Sequence, residues 1–204
     1  MRIAAQYSHL NGLEFLRVHL PELWMGIGEA VAAVDAESCR VKISKEKTMR
    51  GKVLYSPACL NDRFRGALYE REWEKPERTR FYPTDDAELT KELLKLAPDE
   101  QREKLKLLGK RIIGSYNEAD FIQGRVALEI QFGKYTFVQF DMFIKHAANY
   151  MQDKIDLGIE IVPMKSMEEE MSSGPPFYEK HLHEILRQGR IFPPVPLILI
   201  GVEP

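Results

Sequence analysis

Residues 120–134 decide the fold, and they read Asp-Phe-Ile-Gln-Gly-Arg-Val-Ala-Leu-Glu-Ile-Gln-Phe-Gly-Lys. Within this stretch apolar side chains occupy every second position, at Val126, Leu128, Ile130 and Phe132. This alternation is typical of a β-strand that turns one apolar face towards a core. It predicts that Glu129 and Gln131 share the opposite face, about 6.6 Å apart along the strand.

Asp120 lies just before a turn signal, Gln123-Gly124, that favours a short hairpin. Such a hairpin would return the Asp120 carboxylate to the side of Glu129, and two converging carboxylates form a hard oxygen site suited to Mg²⁺. The spacing of these residues is nevertheless common by chance. Taken alone, these residues favour the more ordinary interpretation, which is a solvent-exposed strand face.

Helices and strands alternate along the rest of the chain. Apolar periodicity predicts a helix that begins at Pro21 and further helices over 87–96, 98–113, 136–152 and 177–188. Strands are predicted over 157–161 and 196–202. This interleaving indicates an α/β domain with a mixed sheet. The two helices between about 85 and 113 are rich in Lys and Glu, which favours an exposed helical arm.

The helix predicted over 136–152 follows directly on the strand predicted within 120–134. Its apolar stripe consists of Phe140, Phe143, Ile144, Ala147 and Met151. We expect this stripe to pack against the sheet. The same helix carries His146, for which the sequence offers no obvious partner, so a structural or surface role is expected.

Composition limits the function classes. With 204 residues and 44% hydrophobic content, the chain is long enough for one well-buried domain. The net charge of −2 argues against a protein that coats nucleic acid through bulk positive charge. Any DNA contact therefore needs a local basic surface. The segment 40–52 is the clearest candidate, although a solvated face is an equally good interpretation.

The two cysteines, Cys39 and Cys59, have no CxxC or metal-ligand spacing. We expect them to be reduced, as is usual in a cytoplasmic protein. The amino terminus lacks the apolar segment of a signal peptide, and the longest apolar run is too short to span a bilayer. A soluble, cytoplasmic protein is expected.

Several sequence blocks resemble a family of nucleases. Asp120, Glu129 and Gln131 match the Asp…Glu-x-Gln variant of the PD-(D/E)xK nuclease motif. Further matching blocks are Tyr7-Ser-His-Leu-Asn-Gly-Leu-Glu14, Leu54-Tyr-Ser-Pro57, Glu170-Met-Ser-Ser-Gly174 and Arg187-Gln-Gly-Arg190. On these motifs the chain resembles the type II restriction endonucleases of the BglII/BamHI-like group, and BstYI within that group, over essentially its whole length.

The resemblance implies a fold and an activity. The fold would be a restriction-endonuclease-like α/β core with a central mixed β-sheet flanked by helices, forming a single nuclease domain over 1–204 with a possible arm at about 85–113. The activity would be Mg²⁺-dependent cleavage of double-stranded DNA at a palindromic GATC-containing site, 5′-R/GATCY-3′, leaving 5′-GATC overhangs. A palindrome implies a homodimer, and a restriction role implies a cognate DNA methyltransferase.

The resemblance also assigns catalytic roles. Asp120 would be the principal carboxylate ligand of the metal, assisted by Glu129 and by the backbone carbonyl of Ile130. Glu129 would also help to position the attacking water. Gln131 stands where most of the superfamily has Lys, and its amide can accept a hydrogen bond from the water or donate one to a phosphate oxygen.

Candidate DNA-reading residues follow the catalytic strand. Lys134 lies where family members enter the major groove, and an ammonium can donate to guanine O6 or N7. Ser172 and Ser173 lie in a loop rich in helix-breaking residues, and a hydroxyl that both donates and accepts suits tolerance of either purine. Ordinary loop polarity is the alternative for both positions.

Other functions remain open on the sequence. One is a PD-(D/E)xK nuclease with a different target, and another is a cleavage-deficient, sequence-specific DNA-binding protein. A small-molecule metalloenzyme that uses the same two carboxylates is the third. A defined set of DNA fragments, or the absence of any DNA binding, would separate these alternatives.

Overall fold

The computed structural model describes residues 1–75 and 78–204. The strands are β1 (Arg2–His9), β2 (Lys42–Ile43), β3 (Val53–Leu54), β4 (Thr79–Phe81), β5 (Ser115–Asn117), β6 (Phe121–Gln123), β7 (Val126–Ile130), β8 (Leu157–Pro163) and β9 (Leu197–Glu203). The helices are α1 (Gly12–His19), α2 (Pro21–Ala33), α3 (Pro57–Tyr69), α4 (Ala87–Leu93), α5 (Pro98–Leu107), α6 (Tyr135–Phe140), α7 (His146–Met151), α8 (Lys165–Glu168) and α9 (Tyr178–Arg187). A 3₁₀ turn covers Glu37–Cys39, and a π-helical turn over Asp141–Lys145 joins α6 to α7. Within the described residues, no helix combines the length and apolar character that crossing a membrane requires.

The chain divides into two units, and the first is built on a five-stranded sheet. This unit comprises Met1–Lys75 and Asp120–Pro204. Its strands lie in the order β1-β9-β8-β7-β6, with β7, β8 and β9 parallel and with the edge strands β1 and β6 antiparallel to their neighbours. The mixed sheet expected from the sequence is therefore confirmed.

The hairpin predicted within 120–134 forms at one edge of this sheet. Phe121 pairs with Leu128 and Gln123 pairs with Val126, which leaves two residues in the turn. Gly124 occupies the first turn position with a φ of 58°, a conformation that glycine adopts without steric cost. This register brings Asp120 opposite Glu129.

Helices cover both faces of the sheet. On one face α1, α2 and α3 bury a large apolar cluster with the side chains of alternate strand positions, including Leu128, Ile159 and Ile198. On the other face α6 and α9 pack against Val162 and Leu197. Strands β7 and β8 are consequently buried on both sides, as is usual for parallel strands. The polar face that the alternation predicted is therefore covered rather than exposed to solvent.

The helical segment 135–151 lies within one residue of the predicted bounds, but it turns a different side towards the sheet. Phe140, Ile144 and Met151 belong to the apolar stripe that we expected to face the sheet, yet Phe140 is 41% exposed and Ile144 is 53% exposed. The buried positions include Asp141 and Lys145. The prediction that the stripe packs against the sheet is therefore wrong for Phe140, Ile144 and Met151, whereas Ala147 is buried and Phe143 packs against the apolar cluster on this side of the sheet.

The sheet surface beneath this helix explains the orientation. Glu129 on β7 and Glu160 on β8 are neighbours in the parallel register, and both side chains are buried. Buried carboxylates are costly unless polar or charged groups meet them. The helix accordingly turns Asp141, Lys145 and His146 inwards together with Val138 and Met142, and it leaves Phe140 and Ile144 exposed.

The second unit covers Pro76–Ala119 and contains β4, β5, α4 and α5. Its own small core consists of Leu89, Leu93 and Leu105. Helix α5 ends at Leu107, earlier than predicted, because Gly109 adopts a positive φ and its N–H bonds back to the Lys106 carbonyl.

Within the first unit, Glu74 and Ile122 lie on either side of residues 76–119 in the sequence and form a backbone pair. Glu74 donates to the Ile122 carbonyl at 2.8 Å, and Ile122 donates back to the Glu74 carbonyl at 3.0 Å. Two antiparallel hydrogen bonds thus join the strand that carries the hairpin to the residues just before the second unit.

Cys39 and Cys59 form a disulfide, with their Cα atoms 5.5 Å apart. The expectation that both are reduced is therefore wrong. The Ser56 N–H donates to the Cys39 carbonyl at 2.8 Å, which brings the 3₁₀ turn beside the first turn of α3. A spacing of 20 residues in the sequence does not reveal such a tertiary approach.

Candidate active site

Asp120 and Glu129 converge at the end of the β6–β7 hairpin. The Asp120 N–H donates to Glu129 Oε2 at 3.2 Å, and the Ile130 N–H donates to Asp120 Oδ2 at 3.2 Å. Each carboxylate is thus held by the backbone of the opposite segment. Asp120 is exposed, whereas Glu129 is 2% exposed. The arrangement offers one carboxylate to solvent with a second immediately beneath it.

Lys145 supplies a buried cation that the sequence analysis did not identify. Its Nζ lies 2.8 Å from Glu129 Oε1 and 2.7 Å from Asp141 Oδ1. The side chain of Lys145 is only 9% exposed. An Asp–Lys pair four residues apart, and so on one side of the predicted helix, is the signal that could have revealed this cluster.

Burial and charge compete within this cluster. Burial raises the pKa of Glu129 well above its usual value, and the neighbouring Lys145 opposes that rise. Burial likewise raises the pKa of Asp141, again opposed by Lys145. For Lys145 burial lowers the pKa, but Glu129 and Asp141 outweigh it, so the pKa lies above the usual value. Lys145 therefore stays an ammonium.

Glu160 and His146 form a second buried pair behind the first. His146 Nε2 lies 3.1 Å from Glu160 Oε1, and both side chains are inaccessible to solvent. Burial lowers the pKa of His146 to about 3 and raises that of Glu160 well above its usual value. A neutral imidazole thus faces a carboxyl group that favours its protonated form. His146 is therefore buried beside a partner, Glu160, that the sequence did not reveal.

Gln131 follows β7 directly, and its side-chain oxygen already has a partner. Gln131 Oε1 accepts a hydrogen bond from the Gly133 N–H at 3.1 Å. The backbone N–H of Gln131 donates to the Ile161 carbonyl at 3.0 Å, which continues the parallel pairing. Of the two roles considered for this amide, donation through its NH₂ group is the one that this geometry favours.

The structure brings the predicted DNA-reading residues onto adjoining loops. Lys134 is exposed and directly precedes α6. The next residue, Tyr135, donates its N–H to the Gly174 carbonyl at 2.8 Å. Because Gly174 follows Ser172 and Ser173, the start of α6 lies beside the loop that carries both serines.

The basic segment 40–52 packs against the same loop. Lys42 donates to the Ser172 hydroxyl, and Glu46 Oε1 accepts from Ser173 N at 2.9 Å and from Ser173 Oγ at 3.0 Å. Arg40 pairs with Glu170. Arg40, Lys42 and Glu46 therefore hold the loop in place. The sequence had drawn attention to this segment only because it is rich in basic residues.

The donor set near the hairpin fits a hard divalent cation. Across the described residues, 1–75 and 78–204, no group of three or more His, Cys, Asp and Glu side chains is arranged to hold a metal. Asp120, Glu129 and the Ile130 carbonyl, the ligands that the resemblance implies, are the oxygen donors that would hold a cation at the hairpin. Such a small set of oxygen donors suits Mg²⁺, which keeps several waters and takes oxygens from substrate phosphates.

Comparison with solved structures identifies the fold. The crystal structure of restriction endonuclease BglII complexed with a DNA 16-mer matches with a TM-score of 0.67 and 17% identity, covering 100% of this chain and 79% of that chain. Free BglII matches with a TM-score of 0.57 and 17% identity, covering 100% of this chain and 80% of that one. At this identity the likeness establishes the fold alone.

Sequence comparison establishes the family. No curated protein matches the chain by sequence. The sequence model of the family described as restriction endonuclease BglII/BglIII, however, matches residues 4–202. Because this match spans nearly the whole chain, the protein belongs to the BglII/BglIII restriction endonuclease family and is a site-specific deoxyribonuclease.

Proposed function

We propose that this endonuclease cuts double-stranded DNA at a palindromic GATC-containing site, 5′-R/GATCY-3′, with Mg²⁺ as cofactor, and leaves 5′-GATC overhangs. The observation that carries the proposal is the convergence of Asp120 and Glu129, each held by the backbone of the opposite hairpin segment. The particular DNA site rests on the resemblance of the quoted sequence blocks to BstYI.

The catalytic roles follow from exposure and hydrogen bonding. The exposed carboxylate of Asp120 is the principal metal ligand, and Glu129 and the Ile130 carbonyl complete the protein's contribution. Bound Mg²⁺ supplies a water of lowered pKa and stabilises negative charge on the phosphate. Glu129 orients that water, and the NH₂ group of Gln131 donates to a phosphate oxygen, because its carbonyl oxygen is held by Gly133.

DNA recognition is proposed for the adjoining loops at the start of α6. The ammonium of Lys134 donates to guanine O6 or N7 in the major groove, and Ser172 and Ser173 read the outer base pair. We propose that Lys45 and Lys47 of the basic segment, both exposed, contact phosphates. This assignment meets the requirement for a local basic surface in a chain of net charge −2.

We propose a homodimer in which each subunit cuts one strand of the palindrome. The outward face of the 135–151 helical segment supports this proposal, because it exposes Phe137, Phe140 and Ile144 to solvent. Neighbouring exposed aromatic and aliphatic side chains are typical of surfaces that bind another protein.

The cellular setting follows from the proposed reaction. A restriction role implies a cognate DNA methyltransferase and places the protein in the cytoplasm with the DNA that it cuts. The Cys39–Cys59 pairing is then expected to follow the redox state of the cell. We propose one nuclease domain over 1–204 in which the helical residues at about 85–113 form an arm.

Cleavage of defined duplexes tests the proposal. Duplexes that contain AGATCT, GGATCC, AGATCC or a scrambled site are incubated with Mg²⁺ or with EDTA, and the product ends are mapped. We expect cleavage before the G of all three R-GATC-Y duplexes, none of the scrambled duplex, and none in EDTA. Cleavage of AGATCT alone would restrict the recognition sequence to that hexamer. Cleavage at an unrelated sequence would refute the proposed recognition sequence.

Matched variants test the residues. Asp120→Ala and Glu129→Ala are each expected to abolish cleavage while DNA binding, measured in EDTA by fluorescence anisotropy, survives. Full activity of either variant would remove the site assignment. Binding to R-GATC-Y duplexes without any cleavage by the unmodified protein would leave a sequence-specific DNA-binding protein instead.

A further inference from the structure

We propose that Lys145 is a positioning residue for DNA cleavage, which acts by holding the Glu129 carboxylate in place from the helical segment behind the catalytic hairpin. This inference rests on the proposed nuclease function. It assigns to a residue outside the sequence motif the fixed positive charge that Gln131, at the third motif position, is unable to supply.

The two oxygens of Glu129 face different partners. Oε1 lies 2.8 Å from Lys145 Nζ, and Oε2 accepts from the Asp120 N–H at 3.2 Å. Rotation of the carboxylate would break both contacts. Lys145 therefore fixes the orientation in which Glu129 Oε2 points towards Asp120. In the proposed function, the metal and the attacking water lie on this side of Glu129.

Lys145 is itself held in position. Its Nζ also lies 2.7 Å from Asp141 Oδ1. Both residues belong to the π-helical turn Asp141–Lys145, a geometry that is rare in proteins and frequent at functional sites. The turn places the two ends of one ion pair side by side against the sheet, so the ammonium has a defined position relative to β7.

Stability alone gives a poor reason for a lysine here. Burying an ion pair costs desolvation free energy, and apolar residues of similar volume are often as stable or more stable in its place. The same helical segment has apolar side chains available, yet Phe140 and Ile144 face solvent while Lys145 is buried. This distribution is expected if the contact with Glu129 serves the reaction.

The primary test compares Lys145→Met with Lys145→Arg. Under single-turnover conditions at saturating Mg²⁺, we expect Lys145→Met to cut the preferred duplex about 100-fold more slowly, because misplacing a reacting group by about 1 Å costs about that factor. Its DNA dissociation constant in EDTA should stay within about threefold of the unmodified protein. Lys145→Arg keeps the positive charge and should cut at least about tenfold faster than Lys145→Met.

Two further comparisons control for folding. Lys154→Met removes an exposed lysine and should leave the cleavage rate unchanged. If Lys145→Met alone does not fold, the double variant Lys145→Met/Asp141→Asn carries the same test, because it removes one buried carboxylate together with the cation. Folding is checked by circular dichroism at the temperature of the cleavage assay.

A measurement without cleavage tests the contact itself. The Tm values of Lys145→Met, Glu129→Gln and the double variant are measured in EDTA and without DNA. The Tm shift of the double variant should be smaller than the sum of the two single shifts, because both changes break the same contact. Additive shifts, or a folded Lys145→Met that cuts within about threefold of the unmodified protein, would overturn the proposal. If the unmodified protein cuts no duplex, the proposed function falls, and this inference falls with it.

Discussion

Replacing Gly158 by alanine tests whether the buried polar cluster is coupled to cleavage. Gly158 lies in β8, two residues before Glu160, and the ring of His146 packs directly over its Cα. An added Cβ would lie 2.6 Å from His146 Cγ and 2.8 Å from His146 Cδ2. Only glycine leaves room for the imidazole at this point of the strand.

The size of the effect follows from these distances. Ordinary contact begins at 3.4 Å, so the ring must move from 2.6 Å by about 0.8 Å. His146 is inaccessible to solvent and already faces Glu160 at 3.1 Å, which leaves it little space to move. Overpacking of this kind costs about 1–3 kcal/mol, or about 2–12 °C in Tm for a chain of this size.

The displacement should also reach the reaction. His146 directly follows Lys145, so a shifted ring moves the backbone that carries the ammonium paired with Glu129. We expect Gly158→Ala to lower the single-turnover cleavage rate by about ten- to 100-fold at a temperature where it is fully folded. Thermal unfolding followed by circular dichroism and a cleavage time course measure the two effects.

Two comparisons decide whether the reasoning holds. Adding His146→Ala to Gly158→Ala removes the clashing ring, so the double variant should be more stable than the sum of the two single changes predicts. Gly201→Ala is a matched control in β9, where the added Cβ meets Met164 and Tyr178 instead, and should lower Tm while leaving the rate nearly unchanged. A Gly158→Ala variant with unchanged Tm and rate would refute the coupling.

Three further predictions concern other parts of the first unit. Breaking the Cys39–Cys59 bond with dithiothreitol, or by Cys59→Ser, should cost about 3 kcal/mol for a loop of this length, and unfolding in urea with and without reductant measures it. Gly66→Ala in α3 should stabilise the protein by about 0.5–1 kcal/mol, because nothing lies within 4 Å of the added Cβ; a lower urea midpoint would contradict this. Glu46→Ala removes the acceptor of both Ser173 hydrogen bonds and should change the preference for the outer base pair more than the rate at the best site, as competition between AGATCT and GGATCC duplexes would reveal.

The β6–β7 hairpin was predictable because its determinants are local. Alternation over 126–132 sets the strand, and Gly124 sets the turn, so the pairing of Asp120 with Glu129 follows from about ten residues of sequence. The mixed sheet was predictable for a similar reason, since each strand and helix carries its own periodicity.

The buried cluster was not predictable, because it depends on residues distant in the sequence. Periodicity identified the helix that contains Lys145, but which side faces inwards depends on Glu129 and on Glu160, which lies on the next strand. A charged sheet surface reverses the usual preference for apolar contact. The disulfide escaped prediction likewise, since its two cysteines meet only through the fold.

The backbone pair between Glu74 and Ile122 has a consequence for how chains of this architecture can change in length. The residues between these two positions begin and end at one hydrogen-bonded residue pair. The register of the sheet therefore does not depend on how many residues lie between them. Residues can be inserted, deleted or exchanged between these positions. Asp120 would still lie two residues before Ile122, which the pair with Glu74 holds in place. A change in the length of the 76–119 segment is therefore expected to leave the pairing of Asp120 with Glu129 unchanged.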